Sequence, residues 1–141
     1  MANVIFNSFK RDIMNGALDL DTDTIKVMLV TSAYTPDQDA HTKRSDITNE
    51  VSGTGYSAGG SALANKAVTA DNTDNEGVFD ADDLSWASAT ITARGAVLYK
   101  ARGGAASADE LLCYIDFGSD IASTGGTFLI TWNAEGIINL N

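Results

Sequence analysis

The chain has one cysteine, one proline and one histidine, and its nine basic residues stand against nineteen acidic ones. Each scarcity excludes something. A single thiol, Cys113, cannot close an internal disulfide. Its place in the apolar run 111–117 predicts a buried, unreactive side chain. His41 and Cys113 are single and distant in sequence, so no zinc ligand set exists. No apolar run approaches the roughly 20 residues of a membrane helix, and the N-terminus lacks the long apolar region of a secretion signal. The expectation is a soluble protein made in a reducing compartment, with no membrane partner. Between Lys66 and Arg94 basic residues are absent altogether, while that interval carries Asp71, Asp74, Glu76, Asp80, Asp82 and Asp83. A formal net charge of −10 repels phosphates and argues against nucleic acid as a partner. The pairs Lys10-Arg11 and Lys43-Arg44 are too small to reverse it. Such a charge keeps many copies apart in solution until a specific contact forms.

What the chain does have is a glycine-rich stretch, 48–66, that invites three catalytic readings and satisfies none. Gly55, Ser57 and Gly59 spell Gly-x-Ser-x-Gly, but a nucleophile elbow needs a strand-to-helix turn with an acid and a histidine downstream. His41 lies upstream of Ser57, and no helical pattern follows. Gly53, Gly55 and Ala58 match a dinucleotide fingerprint, which requires a strand before and a helix after; here the polar run 41–52 precedes it. Gly55 and Gly60 have the spacing of a phosphate loop, with Ser61 where the lysine should be. The remaining reading is a tightly turned loop that exploits positive φ at glycine. No enzyme activity and no cofactor are expected.

The rest reads mostly as β. At 141 residues the chain suits one domain. Asn7 or Ser8 can cap a short helix over Phe9 to Asn15 that ends at Gly16, with Phe9, Ile13 and Met14 on one side and Lys10, Arg11 and Asp12 on the other. Ile25 to Thr31 alternates as a strand, Ile25, Val27 and Leu29 opposing Lys26, Met28 and Val30. Residues 33–52 hold Pro36 and form a long excursion, of the kind that is functional or mobile. Weak alternation over 61–69 and short strands over 77–81, 84–88, 90–100, 111–117, 127–133 and 136–140 follow. Gly118 to Gly126 reads as a loop, and Ala134 to Gly136 as a bulge or tight turn. This many short strands with polar turns predict an all-β fold, a jelly-roll-like two-sheet β-sandwich over 17–141 preceded by an N-terminal arm with one short helix over 1–16. Trp86, Trp132, Phe117, Phe128, Tyr99 and Tyr114 are expected to pack in it.

Two acidic runs carry part of a calcium-loop pattern. Asp19, Asp21 and Asp23 open correctly, but Thr24 and Val30 occupy the places of the required Gly and Glu. Asp71, Thr73 and Asn75 open a second trial with Glu76 sixth and Asp82 twelfth, and Gly77 comes one place late. Both are read as solvated loops, with no metal site.

Several segments together resemble a family. They are Thr48-Asn-Glu-Val-Ser-Gly-Thr-Gly-Tyr56, Asn7-Ser-Phe-Lys10, the run Asp19 to Val30, Tyr34-Thr-Pro-Asp37, Asp80 to Trp86, Ala89 to Arg94, Tyr114-Ile-Asp-Phe-Gly118 and Trp132-Asn-Ala-Glu-Gly136. The set spans nearly the whole chain and is similar to small virion structural proteins of tailed bacteriophages, some of which are capsid cement or decoration proteins. The resemblance implies a jelly-roll-type fold, a place on the capsid surface of the virion after synthesis in the host cytoplasm, and the major capsid protein as partner. It transfers no catalytic residue. A homodimer is the default association. Phe6, Phe9, Lys10 and Arg11, on an arm from Ala2 to Met14, are the candidate capsid contacts, because aromatic residues dominate interface energetics. Alternatives are a tail or head–tail connector component, and a carbohydrate- or host-binding sandwich using Trp86, Tyr56 or Trp132.

Overall fold

The computed structural model describes residues 3–141. It is an all-β protein of two antiparallel sheets with one short helix near its N-terminus. The elements are β1 (Val4–Ile5), α1 (Asn7–Met14), β2 (Ile25–Val30), β3 (Ser61–Ala62), β4 (Ala67–Asp71), β5 (Glu76–Asp80), β6 (Leu84–Lys100), β7 (Leu111–Ile130) and β8 (Ile138–Leu140). The larger sheet has the order β1-β7-β6-β2-β3, and the smaller one β4-β5-β8.

Alternation in β2 divides the core as its sequence predicts. Ile25, Val27 and Leu29 enter the main cluster, with Phe79 and Ile138 of the small sheet opposite. Met28 and Val30 enter a second cluster on the other face, with Phe6, Tyr34, Val97, Tyr99, Leu111 and Tyr114. The large sheet is therefore buried on both sides around β2 and the adjoining parts of β6 and β7, while residues 118–127 of β7 stay largely exposed. The excursion 33–52 supplies Tyr34 to that second cluster, so it is a cover and not a free loop. It is pinned by charge: Arg44 Nε donates to Asp109 Oδ2 at 2.7 Å, Lys43 Nζ lies 3.6 Å from Glu110, a carboxylate that Arg102 also grips through two nitrogens, and the Arg44 guanidinium lies 5.1 Å from the centre of the Tyr99 ring. Bidentate and part-buried pairs of this kind hold geometry better than single exposed ones.

Two expectations about strands are corrected. The two segments 84–88 and 90–100 are one strand of 17 residues, because Ser88 at φ 50° forms a bulge that shifts the register without ending the ladder. Gly118 to Gly126 is not a loop: β7 runs unbroken for 20 residues, with Ile121, Ala122 and Ser123 paired to Ala93, Thr92 and Ile91. The long partner strand overrides the weak local β-preference of Gly, Ser and Asp.

The helix is corrected as well. It begins at Asn7, with Phe6 at the cap and no side-chain cap. Instead the Asn7 N–H donates to the Gln38 carbonyl, and Asn7 Nδ2 to Asp39 Oδ1. Its buried face is Ser8, Phe9 and Asp12, while Met14 is 82% exposed. Phe9 (main cluster) and Phe6 (second cluster) are both fully buried. The segment 4–14 is thus built into both cores.

Candidate functional site

The glycine-rich stretch is a strap across the large sheet. Glu50 Oε1 accepts from the Tyr56 hydroxyl at 2.7 Å and from the Gly59 N–H at 2.6 Å, while the Tyr56 hydroxyl accepts the Leu29 N–H. Burial drives the Tyr56 pKa upward, the Leu29 N–H opposes this, and Glu50 adds to it, so the hydroxyl stays a donor. Gly53 and Gly55 pass so close to Thr90 and Ala89 that a Cβ would collide with their backbones. Each catalytic outline in this stretch is therefore the imprint of a close crossing. Ser57 is exposed, and His41 lies elsewhere, its Nδ1 2.9 Å from the Tyr34 hydroxyl.

The candidate contact residues of the N-terminal segment separate into two groups. Phe6 and Phe9 keep no surface for a partner, so they are corrected to core residues. Lys10 and Arg11 are exposed. Lys10 Nζ reaches Asn7 Oδ1, and Arg11 pairs with the buried Asp12 carboxylate at 2.8 Å.

Carboxylates of both acidic runs bond within their own turns. In the β4–β5 turn the carboxylates of Asp71, Asp74 and Glu76 lie within 4.8 Å of one another. Asp71 Oδ1 accepts the Thr73 and Asp74 N–H groups, Glu76 accepts from Asn139, and Asp82 bonds Asn65. In the other run Asp23 accepts the Asp19 N–H and pairs with Lys100 Nζ at 2.8 Å. Cys113 is buried, and desolvation pushes its thiol up to about 12, which keeps it protonated and unreactive.

Several depressed carboxylates tie stability to pH. Arg94 beside Asp116 holds that carboxyl at about 2. Burial pushes Glu110 upward, but its bonds to Arg102 prevail and leave it lowered. Asp46 is lowered by the Thr42 N–H, against burial, with Lys43 N–H assisting. Groups depressed on folding contribute stability that is full above the unfolded value and lost as pH falls through the folded one. Thermal melts are therefore expected to drop steeply between the ordinary aspartate value of 3.8 and about 2. In Arg94→Gln the Asp116 share of that drop should move to higher pH. A melting profile unchanged by the substitution would contradict the assignment.

The surface that sequence reasoning missed lies along β7. A groove of about 640 Å³ is lined by Ile115, Phe117, Ile121 and Leu129 together with Trp132 and Ile137. Ile121 is 42% and Leu129 57% exposed, and both line the same groove, so they form part of one apolar surface. One signal was available. Phe128 and Ile130 are core residues, so Leu129 between them must point away from that core. Trp86 and Trp132 are buried, and the Trp132 indole N–H donates to the Asp82 carbonyl. No helix among the described residues is long and apolar enough to cross a membrane.

Searches with family models, against curated proteins and against solved structures return no match to this chain.

Proposed function

We propose that this chain is a non-enzymatic structural protein of a tailed-phage particle, a decoration protein that binds the outside of the head and bridges neighbouring subunits of the major capsid protein. The observation that carries the reading is the groove beside β7. Ile121 and Leu129 stand exposed there, in a lining that holds the carboxylates of Asp116 and Glu135 but no serine, cysteine, histidine or lysine, a surface better suited to binding than to chemistry. The family resemblance along nearly the whole chain points the same way. So does the fate of its most conspicuous run, where Glu50, Tyr56 and the glycines serve as fasteners of a rigid domain.

The mechanism is mass action. A rigid sandwich laid across a seam between subunits buries surface only when the shell is assembled, and so stabilises that state. If copies also pair, as a two-fold homodimer, effective concentration multiplies a modest contact. The carbohydrate-binding alternative loses its platform, because Trp86 and Trp132 are buried and the Tyr56 hydroxyl is engaged.

The test is to mix purified protein with phage heads that lack it and to image the particles by electron microscopy. Density repeated over the whole shell, at seams between subunits, is the expected result. Density at a single vertex would make the chain a connector or tail component. Absence of density, or turnover of a small molecule that is lost in Ser57→Ala or His41→Ala, would overturn the reading.

A further inference from the structure

We infer that the free edge of β7 takes up an extended segment of a partner protein, added as a strand alongside residues 118–130, in which apolar side chains alternate with lysine or arginine. The inference rests on the binding reading above and names the place and the chemistry of the contact.

The edge is open. β1 pairs with β7 only at Tyr114 and Cys113. The next N–H of that side, Asp116, is taken by the Asn3 side chain. Among the described residues no strand pairs with that side of β7 from Gly118 onward. A free edge presents a row of unpaired N–H and C=O groups, and natural sheets protect such rows with lysine, proline or inward-pointing charge. From Phe117 to Ile130 there is no lysine and no proline, and the one charge is Asp120. Gly118 at φ 83° and Gly125 at φ 68° bend the strand, and on either side of the second bend residues 121–123 and 128–130 keep regular register with β6. Ile121 stands on one of these and Leu129 on the other, and both line the groove. Asn3 marks the groove's near end, so it continues the line on which β1 stops. Backbone pairing along the edge would supply affinity, and the groove would select alternate side chains, as in strand addition generally.

Charge decides the occupant. From Gly103 to Asn141 the chain contains no basic residue, but it contains Asp109, Glu110, Asp116, Asp120 and Glu135. Asp116 is already answered by Arg94 at 2.9 Å, whereas Glu135 lines the groove and Asp120 lies on the exposed strand. A second copy would bring the same acidic edge and another net charge of −10. A basic, apolar strand is complementary on both counts, and any pairing between copies is left to other surfaces.

The experiment uses the full chain and synthetic peptides of about eight residues, the length of an ordinary strand. One peptide alternates valine with lysine, one alternates valine with glutamate, and one is the lysine peptide with a central proline. Binding is followed by amide chemical shifts at low salt. The lysine peptide should move the amides of 118–130, should weaken as salt is raised, and should bind about tenfold more weakly to the double variant Ile121→Lys, Leu129→Lys. The glutamate and proline peptides should leave the edge unchanged. Equal binding of lysine and glutamate peptides, shifts that map elsewhere, or self-association through 118–130 in sedimentation would each overturn the inference. The two proposals separate cleanly. Heads that still bind the double variant sink the edge and spare the decoration reading; edge binding of the peptide by a protein that ignores heads does the reverse.

Discussion

Gly60→Ala is expected to cost about 4 kcal/mol or more, the largest loss from any single methyl added to this chain, because it combines backbone strain with a clash that cannot relax. Gly60 sits at φ +74°, which a side chain rarely adopts, and its Cβ would lie 1.7 Å from the Val27 carbonyl oxygen and 2.9 Å from the Met28 Cα. These obstacles are backbone atoms of β2, which is held between β6 and β3 in the large sheet. Moving β2 would disturb Val27 and Met28, which face the two separate clusters. Moving the strap instead would break the Glu50 bond to Gly59 and the Tyr99 hydroxyl bond to the Gly59 carbonyl. Gly103→Ala is the matched control. Its φ of +83° carries the same conformational strain, but nothing lies within 4 Å of the added methyl. It should cost only about 1 kcal/mol. Urea unfolding of both variants separates strain from collision. Equal midpoints would mean that the strap is looser than the crossing distance implies.

The same contrast explains what could be read from the sequence. The two faces of β2 were legible because apolar residues fill one set of alternate positions and all but Lys26 of the other over six residues. The buried rings Trp86, Phe128, Tyr99 and Tyr114 were legible because each lies in a strand-forming run. The strand across Gly118 to Gly126 was not, since its composition is that of a loop and its order comes from β6, a partner some thirty residues earlier. The crossing of the strap was hidden for a related reason. A glycine followed at short spacing by a serine looks alike whether it cradles a phosphate or clears a carbonyl, and the atom it clears belongs to Val27 or Thr90, remote in sequence. The groove was hidden because Ile121 lies in the stretch whose composition is that of a loop, although alternation between Phe128 and Ile130 already turned Leu129 outward.

Removal of residues 2–14 is expected to unfold the protein, not merely to weaken a docking contact. Phe6 and Phe9 are both fully buried, one in each core cluster. Truncating a buried phenylalanine to alanine costs about 3–5 kcal/mol, and whole domains are stable by only about 5–15 kcal/mol. Loss of both rings alone would consume most of that margin. The deletion also strips β1 from β7, the Phe6 N–H from the Leu112 carbonyl, and the Gln38 side chain of its acceptor, the Ile5 carbonyl. Lys10→Ala is the control that an exposed contact residue would require. Its ammonium is exposed and bonds Asn7 Oδ1, so stability should change by no more than about 0.5 kcal/mol. Arg11→Ala should be costlier than Lys10→Ala, because it leaves the buried Asp12 carboxylate without its guanidinium. Circular dichroism and calorimetry on the three proteins decide the matter. If the deletion variant keeps its β signal and a cooperative melt, the segment is an arm after all, and the two rings hold the sandwich less firmly than their burial implies.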